Sequence, residues 1–199
     1  MMALLVVVLS SCGTVTIPGA APTSPSPTPT FGSQLAIASS AFEPGGAIPS
    51  RYTCFGQNLS PPLEWMGVPE SAQGLVLLVD DPDSSPPGFV HWVIYNIPPT
   101  TTGLPEGVPP ETALQDGSLQ GKNDYAPFGG GTFPGGVPIN LIGYDGPCPP
   151  EGEHRYVFTL YALDALLDLP AEATMEEVKE AMAQHVLAQA EVLGRFAPP

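Results

Sequence analysis

Proline and glycine interrupt this chain so often that no helical bundle can be built from it: 27 prolines and 22 glycines fall among 199 residues. Proline inside a helix removes a backbone donor and clashes with the turn before it. Between short strands, the same two residues are the ordinary chemistry of turns. At about a quarter of a chain they can also signal disorder. Here 43% of the residues are hydrophobic, and they fall in strand-length runs. The excess therefore reads as many turns between short strands, plus one linker. A chain of this length holds one domain with a sizeable core.

The pattern from Leu35 onward is a series of short β-prone runs bounded by turn residues. It predicts strands near 35–39, 63–66, 74–80, 90–97, 139–142 and 156–163, with the longest loop from Pro98 to Pro138. The runs 75–79 and 93–97 are apolar on both faces, as in strands covered on each side. No helix separates successive strands, so the fold expected is mainly β, a two-sheet antiparallel sandwich. One helix is predicted near the C-terminus. Thr174 and Glu177 have capping-box spacing, and Met175, Val178, Met182, Val186 and Leu193 recur at helical intervals. His185 falls within that predicted helix, as a packing or capping group.

Charge narrows the partners. Five Lys and Arg against twenty Asp and Glu give a formal charge of −15. Nothing here could neutralise a run of phosphates, which excludes nucleic acid. Docking on an anionic lipid surface through basic residues is excluded on the same ground.

The first charged residue is Glu43. Before it, an apolar run over 3–9 leads into Leu9-Ser10-Ser11-Cys12, which resembles the lipobox of bacterial lipoprotein signal peptides. The run is too short to cross a bilayer. No Lys or Arg precedes it, where an export signal normally has one. The resemblance implies a signal peptide over 1–11, lipid on Cys12, a Pro/Ser/Thr-rich tether over 12–33 and a folded domain over 34–197. A buried strand starting at Ala3 is the alternative. An exported protein anchored by lipid to the outer, extracytoplasmic or periplasmic face of the cell membrane is expected. With Cys12 assigned to lipid, Cys54 and Cys148 remain as a disulfide pair that export would preserve; two free buried thiols are the alternative.

Three polar clusters break the apolar pattern. Asp80-Asp81-Pro82-Asp83 follows one apolar strand, His91-Trp92 opens the next, and Gly152-Glu153-His154-Arg155-Tyr156 leads into a third. A sandwich gathers its loops at its ends, so convergence on a pocket is expected. Asp81-Pro82-Asp83, His91-Trp92 and Gly146-Pro147-Cys148-Pro149-Pro150-Glu151-Gly152-Glu153-His154-Arg155-Tyr156 resemble the signature of the phosphatidylethanolamine-binding proteins, in particular their bacterial and archaeal Raf-kinase-inhibitor-like branch. Ser60-Pro61-Pro62-Leu63-Glu64-Trp65, Lys122-Asn123-Asp124-Tyr125 and Tyr161-Ala162-Leu163-Asp164 are similar to that branch as well. Two departures stand out: Ser84-Ser85 replace the family's Ala-Pro, so Pro86 comes one residue late, and the Gly/Pro-rich stretch 126–138 is long.

The resemblance implies a small pocket for phosphate, carboxylate or phospholipid head groups, lined by Asp81, His91, Pro150, His154 and Tyr156. A core role remains the alternative for His91 and for Tyr156, while Trp65 and Trp92 are expected in the core. Asp81 is expected to orient an imidazole or to meet a ligand ammonium. Alternation puts His154 and Tyr156 on one face and Arg155 on the other, where a structural ion pair with Asp83 is expected. The function expected is non-enzymatic binding of a small anion or head group. The alternative is a protein–protein regulator, restraining a kinase or protease, with 126–138 as the contact loop. No His-Glu-x-x-His or Gly-x-Ser-x-Gly pattern occurs, so neither an enzyme nor a metal or other cofactor is expected.

Overall fold

The computed structural model describes residues 34–199 except residue 134. The predicted leader, Cys12 and the tether lie outside the described residues. Two antiparallel sheets form the domain. The smaller contains β1 (Ala36–Ala38), β2 (Leu63–Met66) and β5 (Gly103–Leu104), in the order β1-β2-β5. The larger contains β3 (Gly74–Asp81), β4 (Phe89–Ile97), β6 (Leu119–Gln120), β7 (His154–Leu163) and β8 (Val186–Phe196), in the order β6-β4-β3-β7-β8.

The doubly apolar strands are the middle of a three-layer stack. Leu75, Leu77, Val79, Trp92 and Ile94 pack with Leu63 and Trp65 of the small sheet. Val76, Leu78, Val93 and Tyr95 face the other way, against Met175, Val178 and Met182 of helix α1 (Met175–Met182). Each such side chain contributes about 1.5–3 kcal/mol on full burial. Both tryptophans are core residues, and each ring N–H is satisfied: Trp92 by the Gln120 side chain at 2.7 Å and Trp65 by the Thr101 carbonyl at 2.6 Å.

The predicted helix is present with its capping box intact, but it stops at Met182. Beyond it, Val186 and Leu193 belong to strand β8, which pairs with β7 from Leu163 to His154. The alanines of this segment favour a helix locally; the long ladder offered by β7 overrides them. His185 lies in the turn between, exposed, with Nδ1 2.8 Å from an Asp164 carboxylate oxygen. The strand predicted over 139–142 is absent. Asn140 spends its backbone N–H on the Asp145 carboxylate and its side chain on the Tyr144 carbonyl, so no ladder forms. The long loop after Pro98 holds β5, β6 and a 3-10 turn at Ala126–Phe128.

Cys54 and Cys148 are bonded, with Cα atoms 5.4 Å apart and a sequence separation of 94. The approach of the two segments is close throughout. Cys54 N–H donates to the Pro147 carbonyl at 3.1 Å, and a Cβ on Gly146 would lie 2.1 Å from the Tyr52 carbonyl oxygen. Glycine is required there because the backbones touch.

Candidate ligand-binding site

The pairing of β3 with β7, which places Asp80 opposite Val157, brings the Asp-Pro-Asp turn beside the start of β7. Two consecutive residues of β7 then meet two acids of the turn. His154 Nδ1 lies 2.7 Å from Asp81 Oδ2. Arg155 grips Asp83 from the other face, Nε to Oδ2 at 2.8 Å and Nη2 to Oδ1 at 2.7 Å, with its backbone N–H adding a third contact at 3.0 Å. The guanidinium holds the Asp83 carboxyl down to about 2. The Asp83–Arg155 pair stands at the surface, so its value is geometric more than energetic. Asp81 is nearly buried and its second oxygen accepts from the Asp83 backbone N–H at 2.8 Å. Both Asp81 oxygens are therefore committed to fixing the turn and the His154 ring.

His91 enters from β4, buried. Its Nδ1 donates to the Asp145 carbonyl at 2.7 Å, and the Asp145 N–H returns a bond to the His91 carbonyl at 3.0 Å. Burial pushes the His91 pKa below the ordinary histidine value. Around it pack Phe89, Tyr125 and Tyr156, with ring centroids 5.3, 6.0 and 5.2 Å away. Tyr156 is buried too, and its hydroxyl has no hydrogen-bond partner among the described residues. Burial, reinforced by the nearby Asp81 charge, keeps that phenol protonated, although it makes no bond to the carboxylate.

These groups open into one cavity of about 630 Å³, the size of a small-molecule site. Asp81, His91, Pro150, His154 and Tyr156 all line it. Phe89, Tyr125, Ile139 and Pro149 supply an apolar wall, and the disulfide reaches it through Cys148. At the rim stand Ser84 and Ser85 rather than Pro86; the Ser84 hydroxyl donates to the Asp81 carbonyl at 2.7 Å and accepts from the Phe89 N–H at 2.9 Å. Arg155 does not line the cavity, while Asp83, Glu151 and Asp81 do, with no lysine or arginine among the described lining residues. A second hollow of about 540 Å³ lies on the small sheet, but among the described residues Glu64 is its only ionisable lining residue and no polar groups converge there.

Sequence reasoning missed Asp145. It is fully buried behind His91, with Oδ1 accepting from Asn58 Nδ2 at 2.5 Å and from Asn140 N–H at 3.2 Å, and Oδ2 unpartnered among the described residues. Desolvation raises its carboxyl to about 7, against the opposing pull of the Asn58 and Asn140 bonds. Its only signal in the sequence is adjacency to Gly146-Pro147; its partner Asn58 is remote in the chain.

A family model described as phosphatidylethanolamine-binding protein matches residues 38–197. A UPF0098 protein of Methanothermobacter thermautotrophicus is 51% identical over 156 residues, covering 78% of this chain and 94% of that protein. Among solved structures, a phosphatidylethanolamine-binding protein homolog from Chlamydia trachomatis is 35% identical with a TM-score of 0.71, covering 84% of this chain and all of that one. E. coli YbcL, described as a new member of the mammalian family, is 29% identical with a TM-score of 0.71, over 83% of this chain and 99% of its own. Spanning both sheets and every residue that lines the cavity, the match makes this chain a member of the phosphatidylethanolamine-binding protein family, whose fold is that of a ligand-binding domain.

Proposed function

We propose that this protein binds small anions or phospholipid head groups without transforming them, as an exported domain (34–197) held to the membrane by lipid on Cys12. One observation carries the binding reading: Asp81, His91, His154 and Tyr156, from three separate strands, converge on a single cavity with apolar walls. Asp81 acts on the ligand through His154, whose Nδ1 it holds; a fixed ring turns its other nitrogen to the ligand. The Asp83–Arg155 pair pins the turn that carries Asp81. The N-terminal apolar run with its small residues before Cys12 supports the anchor, and the Cys54–Cys148 bond fits an oxidising compartment.

Calorimetry with phosphate and phosphoethanolamine tests the site. His91→Ala and His154→Ala should each weaken phosphate by about 1.5–3 kcal/mol, the worth of a hydrogen bond to a charged group. Asp81→Asn keeps the volume and removes a negative charge. If Asp81 orients His154, phosphate binds more weakly in this variant; tighter binding would show that Asp81 is merely a repulsive neighbour.

A further inference from the structure

One short segment, 137–140, takes part in two hollows. Ile139 lines the cavity described above, while Val137, Pro138 and Asn140 line a smaller hollow of about 210 Å³ together with Asn58 and Tyr144. The segment lies outside both sheets, so no ladder holds it. Its ties converge on one carboxyl instead. Asp145 Oδ1 accepts the Asn140 N–H at 3.2 Å and Asn58 Nδ2 at 2.5 Å, and the same Asn58 amide donates to the Pro138 carbonyl at 3.3 Å. On the other flank, the Ile139 N–H donates to the Gly131 carbonyl at 3.0 Å. Asn58 is buried and holds its place at a φ of 55°, a left-handed conformation that few side chains other than asparagine tolerate.

Neither protonation state satisfies Asp145 in this arrangement. Oδ2 is buried with no partner among the described residues. With its proton, the carboxyl leaves one O–H unbonded. Without it, a charged oxygen stands bare of donors, and that costs more. Desolvation accordingly raises the carboxyl to about 7. The titratable groups facing it are His91 on β4 and, from the loops, Tyr125 and Tyr144. Burial disfavours the imidazolium and keeps both phenols protonated, so none of them supplies a compensating positive charge. Asp81 and Asp124, which act on His91, are themselves acids. Both partners of Oδ1 belong to neutral amides. An ionised Asp145 gains further donors only from water, and the smaller hollow, lined by Asn58 and Asn140, offers the route.

We propose that Asp145 is a proton-operated latch on the cavity wall: with its proton it holds 137–140 closed, and without it the segment withdraws, taking Ile139 from the apolar wall. The latch goes beyond the binding reading above and holds whichever ligand the cavity takes. The backbone of Asp145 stays bonded to His91 through both its carbonyl and its N–H, so the wall moves while the imidazole keeps its place. Opened and hydrated, the carboxyl ionises at its ordinary value of 3.8; closed, at about 7. The closed form is therefore favoured in full below the lower value, loses ground as pH rises between the two, and gains or loses nothing more above the upper one.

The test is amide hydrogen exchange on the full chain without ligand, from about pH 5 to about pH 8, corrected for the intrinsic rate at each pH. Protection of the Ile139 and Asn140 amides should fall about tenfold per unit up to about pH 7 and then level off. In Asp145→Asn it should be flat across the range. Global unfolding carries the same proton linkage, so dilute urea separates the two. A local opening exposes little surface and ignores urea, whereas exchange through unfolding speeds up with it. A fall that is urea-sensitive and shared with the core amides of Leu77 and Val93 would mean that Asp145 titrates only when the whole domain unfolds, and the latch is refuted. Flat protection in the wild type refutes it as well, and so does a fall that persists in Asp145→Asn. Loss of protection at Asn140 with Ile139 still protected would show that the wall does not follow the carboxyl, which also overturns the proposal. Should Asp145→Asn fail to fold, the carbon resonance of the wild-type Asp145 carboxyl takes its place: a midpoint near about 7 beside the local fall supports the latch, and a midpoint in the ordinary carboxylate range overturns it. No ligand enters these measurements, so their failure leaves the binding reading untouched, and failure of phosphate to bind leaves the latch standing.

Discussion

Asp145→Asn should remove about 3 kcal/mol of pH dependence from the stability of this protein between about pH 5 and about pH 8. The carboxyl ionises at its ordinary value of 3.8 when unfolded and at about 7 when folded. Between those values the native state holds a proton that the unfolded state has released. Stability from this group is therefore complete below the unfolded value, drains away as pH rises, and is gone above the folded one. Each unit is worth about 1.4 kcal/mol, so the full effect is about 4 kcal/mol, most of it within the pH range named. The amide keeps an oxygen for Asn58 and Asn140 and puts an NH₂ where Oδ2 has no partner. Its unmet donors cost about 1–3 kcal/mol at every pH, so the slope is the readout rather than the level. Urea unfolding followed through the buried Trp65 and Trp92 measures it in both proteins. His91 and Asp83 contribute their own pH dependence to each, and it cancels in the difference. Parallel slopes for the two proteins would show that Asp145 is ionised throughout and that burial does not govern it.

Removing the disulfide by Cys54→Ala with Cys148→Ala should cost on the order of 4–5 kcal/mol by the chain-entropy model for a loop of about this length; mass spectrometry of unreduced protein that finds two free thiols would end the idea. Cys12→Ser should release the protein from membranes with its melting temperature unchanged, and a variant that stays bound would identify the apolar N-terminus as the anchor. Gly146→Ala forces a side chain onto the Tyr52 carbonyl, so it should destabilise the fold by a few kcal/mol and weaken phosphate binding, as read by thermal shift with and without phosphate; wild-type melting would show that the two segments separate freely.

The central strands were legible because their apolar runs are bounded by turn residues, and the helix start because Thr174 and Glu177 form a box that needs no tertiary help. Strand β8 was not. Ala188, Ala190, Val192, Gly194 and Phe196 do alternate toward the core side, but alanine, glutamine and glutamate also suit a helix, and only the β7 ladder decides between them. Strands β5 and β6 are two residues each, too short to carry any period. In the site, the shared face of His154 and Tyr156, with Arg155 on the other, follows from alternation alone. Which imidazole Asp81 holds, and the burial of Asp145, depend on contacts between residues far apart in the chain.

The Cys54–Cys148 bond divides the cavity. Asp81 and His91 lie within the cross-linked loop, while His154 and Tyr156 lie beyond it, on β7. The Gly- and Pro-rich segment over 126–138 is inside the loop as well, and parts of it are exposed. Proteases favour such segments. A single cut there would leave two pieces still joined covalently next to the cavity, with Asp81, His91, His154 and Tyr156 in one molecule. On an electrophoresis gel the nick would be invisible until a reducing agent was added. The bond thus confers tolerance to damage on the half of the chain richest in loops, without asking those loops to be rigid.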